Sequence, residues 1–337
     1  MRGSGGTVAG LRDDGLDLAP LQETPIAALG GFLAAPGVSR FLVERPYAGE
    51  PRERYLAERV LRDATRDDAV AWAALRNGSV VGVAVLRFPA WDHEHFGFLA
   101  ARVEHLQGAD AAAVRSLTDR CLAECRTRGA VTCSARVSGD ALTVVRGLEE
   151  HGFRFQEVVL CPWRDLATWQ QRSFGVTRPT EAADVPALRD IARRAFRTDR
   201  FHRDTRFPAS AADAVYARWV DTWHADRSSG RFSRVLLVDG SVAGFFLYEV
   251  SDGPSEAGWR VATLVLDAVD PDVAGRGMGY MMYCDVLDAV CSQASYASST
   301  VAVANPAALG LYIRLGFRLT GSGEVTLHWW SDSRKEE

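Results

Sequence analysis

The chain lacks a basic excess. Its 39 lysines and arginines stand against 43 aspartates and glutamates, a net charge of −4, which argues against a general nucleic-acid binder. It also lacks a long apolar run: none approaches the roughly 20 residues that span a bilayer. Met1 to Gly6 holds no apolar signal core, so the expectation is a loose tail on a cytoplasmic protein. Cysteine is sparse, at six positions: 121, 125, 133, 161, 284 and 291. No Cys-x-x-Cys or His-rich spacing joins them, so no metal site is expected, and buried free thiols in a reducing compartment are. What remains is ordinary: 47% hydrophobic and 24% charged residues in a 337-residue chain, the length of about two domains.

The most informative stretch lies late in the chain. An apolar strand over 261–269 leads into Asp270-Pro271-Asp272-Val273-Ala274-Gly275-Arg276-Gly277-Met278-Gly279, and a helical run over 280–291 follows. Strand, glycine turn, helix is a geometry that aims backbone N–H groups at a phosphate. Gly275, Gly277 and Gly279 let backbone approach an anion, and Arg276 adds a cation. The stretch is not a P-loop, since no Gly-Lys-Ser/Thr follows. Its glycines recur every second residue, which fails the dinucleotide fingerprint. Taken alone, such a turn is more often plain turn chemistry.

A second segment changes the reading. After a short strand over 298–303 comes Asn305-Pro306-Ala307-Ala308-Leu309-Gly310-Leu311-Tyr312-Ile313-Arg314-Leu315-Gly316-Phe317. Asn305 is placed as an N-cap, Pro306 as the first helical residue and Gly316 as the terminating glycine. Ala308, Leu311, Tyr312 and Leu315 share one face.

The pair of segments resembles the GCN5-related N-acetyltransferase (GNAT) superfamily. Its pyrophosphate loop reads Arg/Gln-x-x-Gly-x-Gly/Ala, and its later helix Asn-x-x-Ala-x-x-Leu-Tyr-x-x-Leu-Gly-Phe. The helix matches at Asn305, Ala308, Leu311, Tyr312, Leu315, Gly316 and Phe317. The loop departs at Ala274, where the family has Arg or Gln. The resemblance implies acetyl-CoA, or another acyl-CoA, as co-substrate. It would be held by the loop Gly275, Arg276, Gly277, Met278 and Gly279, by strand backbone near Leu266 and Val269, and by Asn305.

The chain also resembles itself. Asn77-Gly78-Ser79-Val80-Val81-Gly82 parallels Asp239-Gly240-Ser241-Val242-Ala243-Gly244, 162 residues on. Both predict tight hairpin turns between apolar alternating runs. Gly152-Phe153-Arg154 parallels Gly316-Phe317-Arg318, 164 residues on. The expected fold class is therefore α/β: tandem GNAT-like domains, each a mixed, mostly antiparallel sheet flanked by helices. The expected domains are 1–165 and 166–337, with the linker near 162–180. In the first copy the counterparts of Tyr312 and Asn305 are Leu148 and Ala141, and 107–112 has no paired glycines. The first copy is read as degenerate and the second as catalytic, with terminal strands at 317–319 and 324–330.

Acyl transfer to an amine needs a deprotonated amine, a stabilised oxyanion and a proton for the departing thiolate. By resemblance Tyr312 supplies that proton; the plainer alternative is a core tyrosine. Glu249 is the first candidate base and Asp267 the second, each with a structural alternative. No Ser/His/Asp or Cys/His arrangement for a covalent route is evident.

Two segments bear on the acceptor: 91–97, containing Trp91 and Asp92, and 199–208, containing Arg200, Phe201 and His202. Three arginines with aromatics suit an anionic or polyhydroxyl ligand, or a solvated loop. Both segments resemble those of bacterial dTDP-4-amino-sugar N-acetyltransferases, matching at Trp91, Asp92, Phe96, Gly97, Arg200 and Phe201, with Asp199 in a serine position. The expectation is an acyl-CoA-dependent N-acetyltransferase of a small amine, an amino sugar or sugar nucleotide favoured, monomeric rather than dimeric. A natural-product or antibiotic amine, a longer acyl-CoA, or a non-catalytic CoA-binding scaffold are the alternatives.

Overall fold

The computed structural model describes residues 15–35, 50–197, 199–226, 228, 230–252, 258–319 and 323–331, without side chains at 50–53. The N-terminal hexapeptide and residues 332–337 lie outside them. The first half runs β1 (Leu16–Pro20), α1 (Ile26–Ala34), α2 (Glu50–Ala64), β2 (Ala69–Arg76), β3 (Ser79–Arg87), α3 (Ala90–Phe96), β4 (Ala100–Gly108), α4 (Ala111–Arg128), β5 (Thr132–Ser138), α5 (Leu142–Glu150), β6 (Arg154–Leu160) and β7 (Pro162–Asp165). The second runs β8 (Thr177–Pro179), α6 (Val185–Ala195), α7 (Arg200–Arg203), α8 (Ala209–Ala225), β9 (Arg231–Val238), β10 (Ser241–Asp252), β11 (Arg260–Val269), α9 (Met278–Val290), β12 (Tyr296–Ser299), β13 (Val301–Ala302), α10 (Pro306–Arg314), β14 (Arg318–Leu319) and β15 (Glu324–Trp330).

The repeated hairpins form as their turns dictate. Asn77 and Gly78 have φ of 51° and 77°, Asp239 and Gly240 φ of 50° and 80°. Two consecutive left-handed residues match the twist of the strands they join. They connect β2 to β3 and β9 to β10, both antiparallel.

Alternation along each strand then builds two cores per sheet. Ala71 and Ala73 face Leu56 and Val60 of α2, while Trp72 and Ala74 face Leu117 and Leu122 of α4. In the second sheet Phe245 and Leu247 face Leu188 of α6 and Val220 of α8, whereas Phe246 and Tyr248 face Met282 of α9 and Tyr312 of α10.

The sheets exchange strands. The first has order β1-β2-β3-β4-β5-β15-β6-β13, the second β14-β7-β12-β11-β10-β9-β8. Residues 324–330, expected in the second sheet, lie in the first, where β15 pairs with β5 and β6. Residues 162–165, expected at a linker, form β7 between β12 and β14 of the second sheet. The physical cause is common to both: β6 runs into β7, and β12 into β13, through a single intervening residue, so one chain path serves both sheets. Each half supplies the strand that lies beside the other's parallel pair.

Candidate active site

The site begins where two parallel strands part. β11 pairs with β12 from Val261↔Tyr296 to Leu264↔Ser299, and there the pairing ends. β11 continues to Val269, while the segment after β12 crosses into the first sheet, where Val301 pairs with Leu160. One backbone edge of residues 265–269 therefore faces a fork. Leu266 and Val269, expected along the acyl-CoA path, both lie on that stretch. A bulge accompanies the parting, because Leu247 and Tyr248 of β10 oppose Leu266 and Leu264, which leaves an extra residue and re-aims the strand.

The glycine loop closes the end of the fork. Gly275 and Gly277 have φ of 80° and 82°, conformations that side chains resist. A Cβ at either would meet nothing within 4 Å, so both face open space. A Cβ at Gly279 would lie 3.8 Å from Val269 and 3.9 Å from Leu311, so Gly279 sits between β11 and α10. The Met281 amide donates to Gly277 O, at 3.2 Å. The amides of Met278, Gly279 and Tyr280 precede any intrahelical acceptor and point out of the helix end. Arg276 is exposed and donates to Asp272 O at 3.3 Å. A concave, open loop with free amides and one cation fits a pyrophosphate.

The corresponding helix of the first copy is capped by its own side chain. The Asp110 carboxylate caps α4 by accepting from the Ala113 amide at 2.9 Å, and Arg76 binds it at 2.6 Å. An internal carboxylate thus sits at that helix N-terminus. Ala141 stands at the N-cap of α5 without a side-chain cap, and Leu148 is buried where α10 carries Tyr312.

At the vertex of the fork lies a chain of hydroxyls. Tyr312, 2% exposed, donates to Ser299 Oγ at 2.8 Å, and Ser299 donates to Leu264 O at 2.8 Å. The Tyr312 hydroxyl also lies 2.9 Å from that of Tyr283, and Tyr283 bonds Asp267 Oδ1 at 2.7 Å. Burial pushes the Asp267 carboxyl up to about 6, against the Tyr283 hydrogen bond. Burial, and then the Asp267 charge, raise the Tyr312 hydroxyl above the ordinary tyrosine range. Tyr283 and Ser299 were not anticipated. The signal for Asp267, a carboxylate in an otherwise apolar strand, was present in the sequence.

The structure does not bring Glu249 to Tyr312. Phe246, Tyr248 and Val250 face the core that holds Tyr312. Alternation turns Glu249 to the other face, where its ion-pair partner is Arg231 at 3.9 Å. Asn305 caps α10, accepting from the Ala308 amide at 3.1 Å.

The two acceptor segments do meet each other, as packing. Trp91 and Phe201 flank a buried cluster of Phe96, Phe98, Phe207 and Trp330 between the halves. Trp91 Nε1 donates to Thr222 Oγ1 at 3.0 Å. Asp92 holds Arg102 at 3.0 Å. His202 lies between Asp199, at 2.7 Å, and Asp213, at 3.2 Å. Arg200 alone of the three loop residues turns toward a cavity in the first copy.

No family model matches the chain, and no curated protein does. Solved structures do. A GCN5-related N-acetyltransferase from Sphaerobacter thermophilus aligns with a TM-score of 0.63 and 16% identity, over 95% of this chain and 97% of that one. A fungal GH3 β-N-acetylglucosaminidase with a glucosamine N-acetyltransferase region gives 0.61 and 12%, over 93% of this chain and 38% of that one. A tandem GNAT protein from the clavulanic acid biosynthesis pathway gives 0.57 and 16%, over 94% and 98%. Alignment over nearly the whole chain, with two sheets each forked beside a parallel pair, gives this protein the tandem GCN5-related N-acetyltransferase fold.

Proposed function

We propose that the protein is an acetyl-CoA-dependent N-acetyltransferase that acylates a small amine, with 166–337 as the catalytic domain and 1–165 as a degenerate copy that shapes the acceptor cleft. The observation that carries this reading is the Tyr312 hydroxyl at the vertex of the β11–β12 fork, tied to Ser299 at the last paired position. Acetyl-CoA would supply the acetyl thioester, held by the glycine loop and the open edge of 265–269. Arg276 and the first amides of α9 bind anionic oxygens there. Tyr312 holds the proton that neutralises the sulfur as it leaves, and Ser299 orients that hydroxyl. Asp267, reached through Tyr283, is the proton acceptor of the relay and takes the role first sought in Glu249.

An amino sugar or sugar nucleotide is the favoured acceptor. The sequence resemblance of the segments around Trp91 and Arg200 supports it, as does the glucosamine N-acetyltransferase region of the fungal neighbour. The absence of a cysteine pair, with six free thiols, fits a reducing cytoplasm.

One observation favours a second reading, a non-catalytic CoA binder: Tyr312 is deeply buried and fully hydrogen-bonded. Thiol release from acetyl-CoA with a panel of amino sugars separates the two. Wild type should turn over at least one amine. Tyr312→Phe should lose about 10²- to 10⁴-fold in kcat, the usual worth of general acid catalysis, with acetyl-CoA affinity unchanged. Equal turnover in both proteins would remove Tyr312 from the chemistry.

A further inference from the structure

The first copy holds a cavity of about 290 Å³ on β4, β5 and β15, roofed by Arg200 of α7. None of the fork residues described above lines it. Its volume is at the small end of ligand pockets, too small for a nucleotide-sized cofactor. Four arginines line it: Arg59, Arg102, Arg136 and Arg200. Glu104 and Glu324 line it as well, so the wall carries both signs.

Most of these charges are matched within the protein. Arg102 holds Asp92 at 3.0 Å, and Arg136 holds Glu157 at 3.1 Å. Glu104 faces Arg87 at 3.4 Å. Three groups are not matched. The Arg200 side chain is only 24% exposed, and its ion-pair contact is Glu157 at 3.6 Å, beyond hydrogen-bond reach. Glu157 already accepts from Arg136. Among the described residues the Arg200 guanidinium, which lies over the Phe201 ring at 4.4 Å, therefore makes no hydrogen bond, though it has five donors. Burial and the neighbouring Arg136 push it down to about 10. Glu324 has the weak Cys161 thiol, at 4.0 Å, as its side-chain partner. Gln107 Oε1 is buried with no partner at all among the described residues.

An unmatched buried polar group is costly; Gln107 Oε1 is one, and the half-buried Arg200 and Glu324 leave a strong donor and an acceptor open on the same small cavity. Thr326 pairs with Glu157 and Glu324 with Val159, so Glu157, the ion-pair contact of Arg200, and Glu324 lie at different places along the pairing of β6 with β15. We propose that this cavity binds a small zwitterion of the amino-acid class, its carboxylate on Arg200 and its ammonium between Glu324 and Gln107. A bare dianion such as phosphate would have no ammonium to place against Glu324. The site lies apart from the fork of the second copy and is tested without acyl transfer.

The test is calorimetric titration of the full chain with each of the twenty common L-amino acids, with succinate and inorganic phosphate as anions lacking an ammonium group. At least one amino acid should bind, saturate and raise Tm. Arg200→Met should weaken that binding at least tenfold, as should Glu324→Gln. Glu324→Gln should leave acetyl-CoA affinity unchanged. Should Arg200→Met fail to fold, Glu324→Gln alone decides. No amino-acid binding overturns the proposal. So does succinate or phosphate binding as tightly as the best amino acid, or full affinity in the folded variants.

Discussion

Asp267 is set apart by a count of protons. Four hydrogen bonds link Asp267, Tyr283, Tyr312, Ser299 and the Leu264 carbonyl. The three hydroxyls supply only three protons, so all four bonds are made only when Asp267 is protonated. With its carboxyl at about 6, the relay at neutral pH is one proton short and can take one up. The activity of wild type should therefore rise with pH through an apparent pKa near 6, and Asp267→Asn should lose that limb together with most of kcat. The sign for stability follows from the same value. The folded carboxyl titrates above its unfolded counterpart of 3.8, so between about 4 and 6 the native state holds the extra proton. Stability is full below that window and falls as pH rises through it, by about 2–3 kcal/mol. Thermal unfolding from pH 4 to 8 should show this loss in wild type and a flatter curve in Asp267→Asn. At this scale the sequence was legible where a motif names a residue, as for Tyr312, and where a charge interrupts an apolar strand, as for Asp267. Tyr283 and Ser299 were not, because a hydroxyl's partner is set by three-dimensional approach. Glu249 misled because strand period decides which face a carboxylate meets, and the register of β10 was not in view.

Among elements, the two helix N-termini that follow a parallel-pair strand make the sharpest contrast. α4 is capped by Asp110 and neutralised by Arg76, whereas α9 opens on Gly277 with no side-chain cap. Asp110→Ala should cost about 1 kcal/mol of stability, the ordinary worth of a cap, and leave acetyl-CoA affinity unchanged in calorimetry. A loss of acetyl-CoA affinity would mean that the first copy takes part in binding. The hairpins were readable from Asn77-Gly78 and Asp239-Gly240, since two left-handed residues specify the turn locally. The destination of β15 was not. Its alternation serves either sheet equally well, and only long-range pairing with β5 and β6 selects the first.

The whole molecule is held by that exchange. β15 completes the first sheet, burying Leu327, Trp329 and Trp330, and β7 completes the second. Each fully buried large apolar side chain contributes about 1.5–3 kcal/mol, so neither half keeps its core alone. Expressed separately, 1–165 and 166–337 should each be unstable or aggregate, and mixing them should recover structure by circular dichroism. Independent, cooperative unfolding of both fragments would contradict this. Tandem organisation was legible from the internal repeat, but reciprocal strand exchange leaves no local mark. Calorimetric titration of acetyl-CoA into wild type and Gly277→Glu tests whether the fork and glycine loop of the second copy hold acetyl-CoA. Gly277 is left-handed and faces open space, so the variant places a carboxylate where the pyrophosphate would lie. The expected result is saturable binding in wild type and none in the variant. Equal binding in both, or none in wild type, would contradict it.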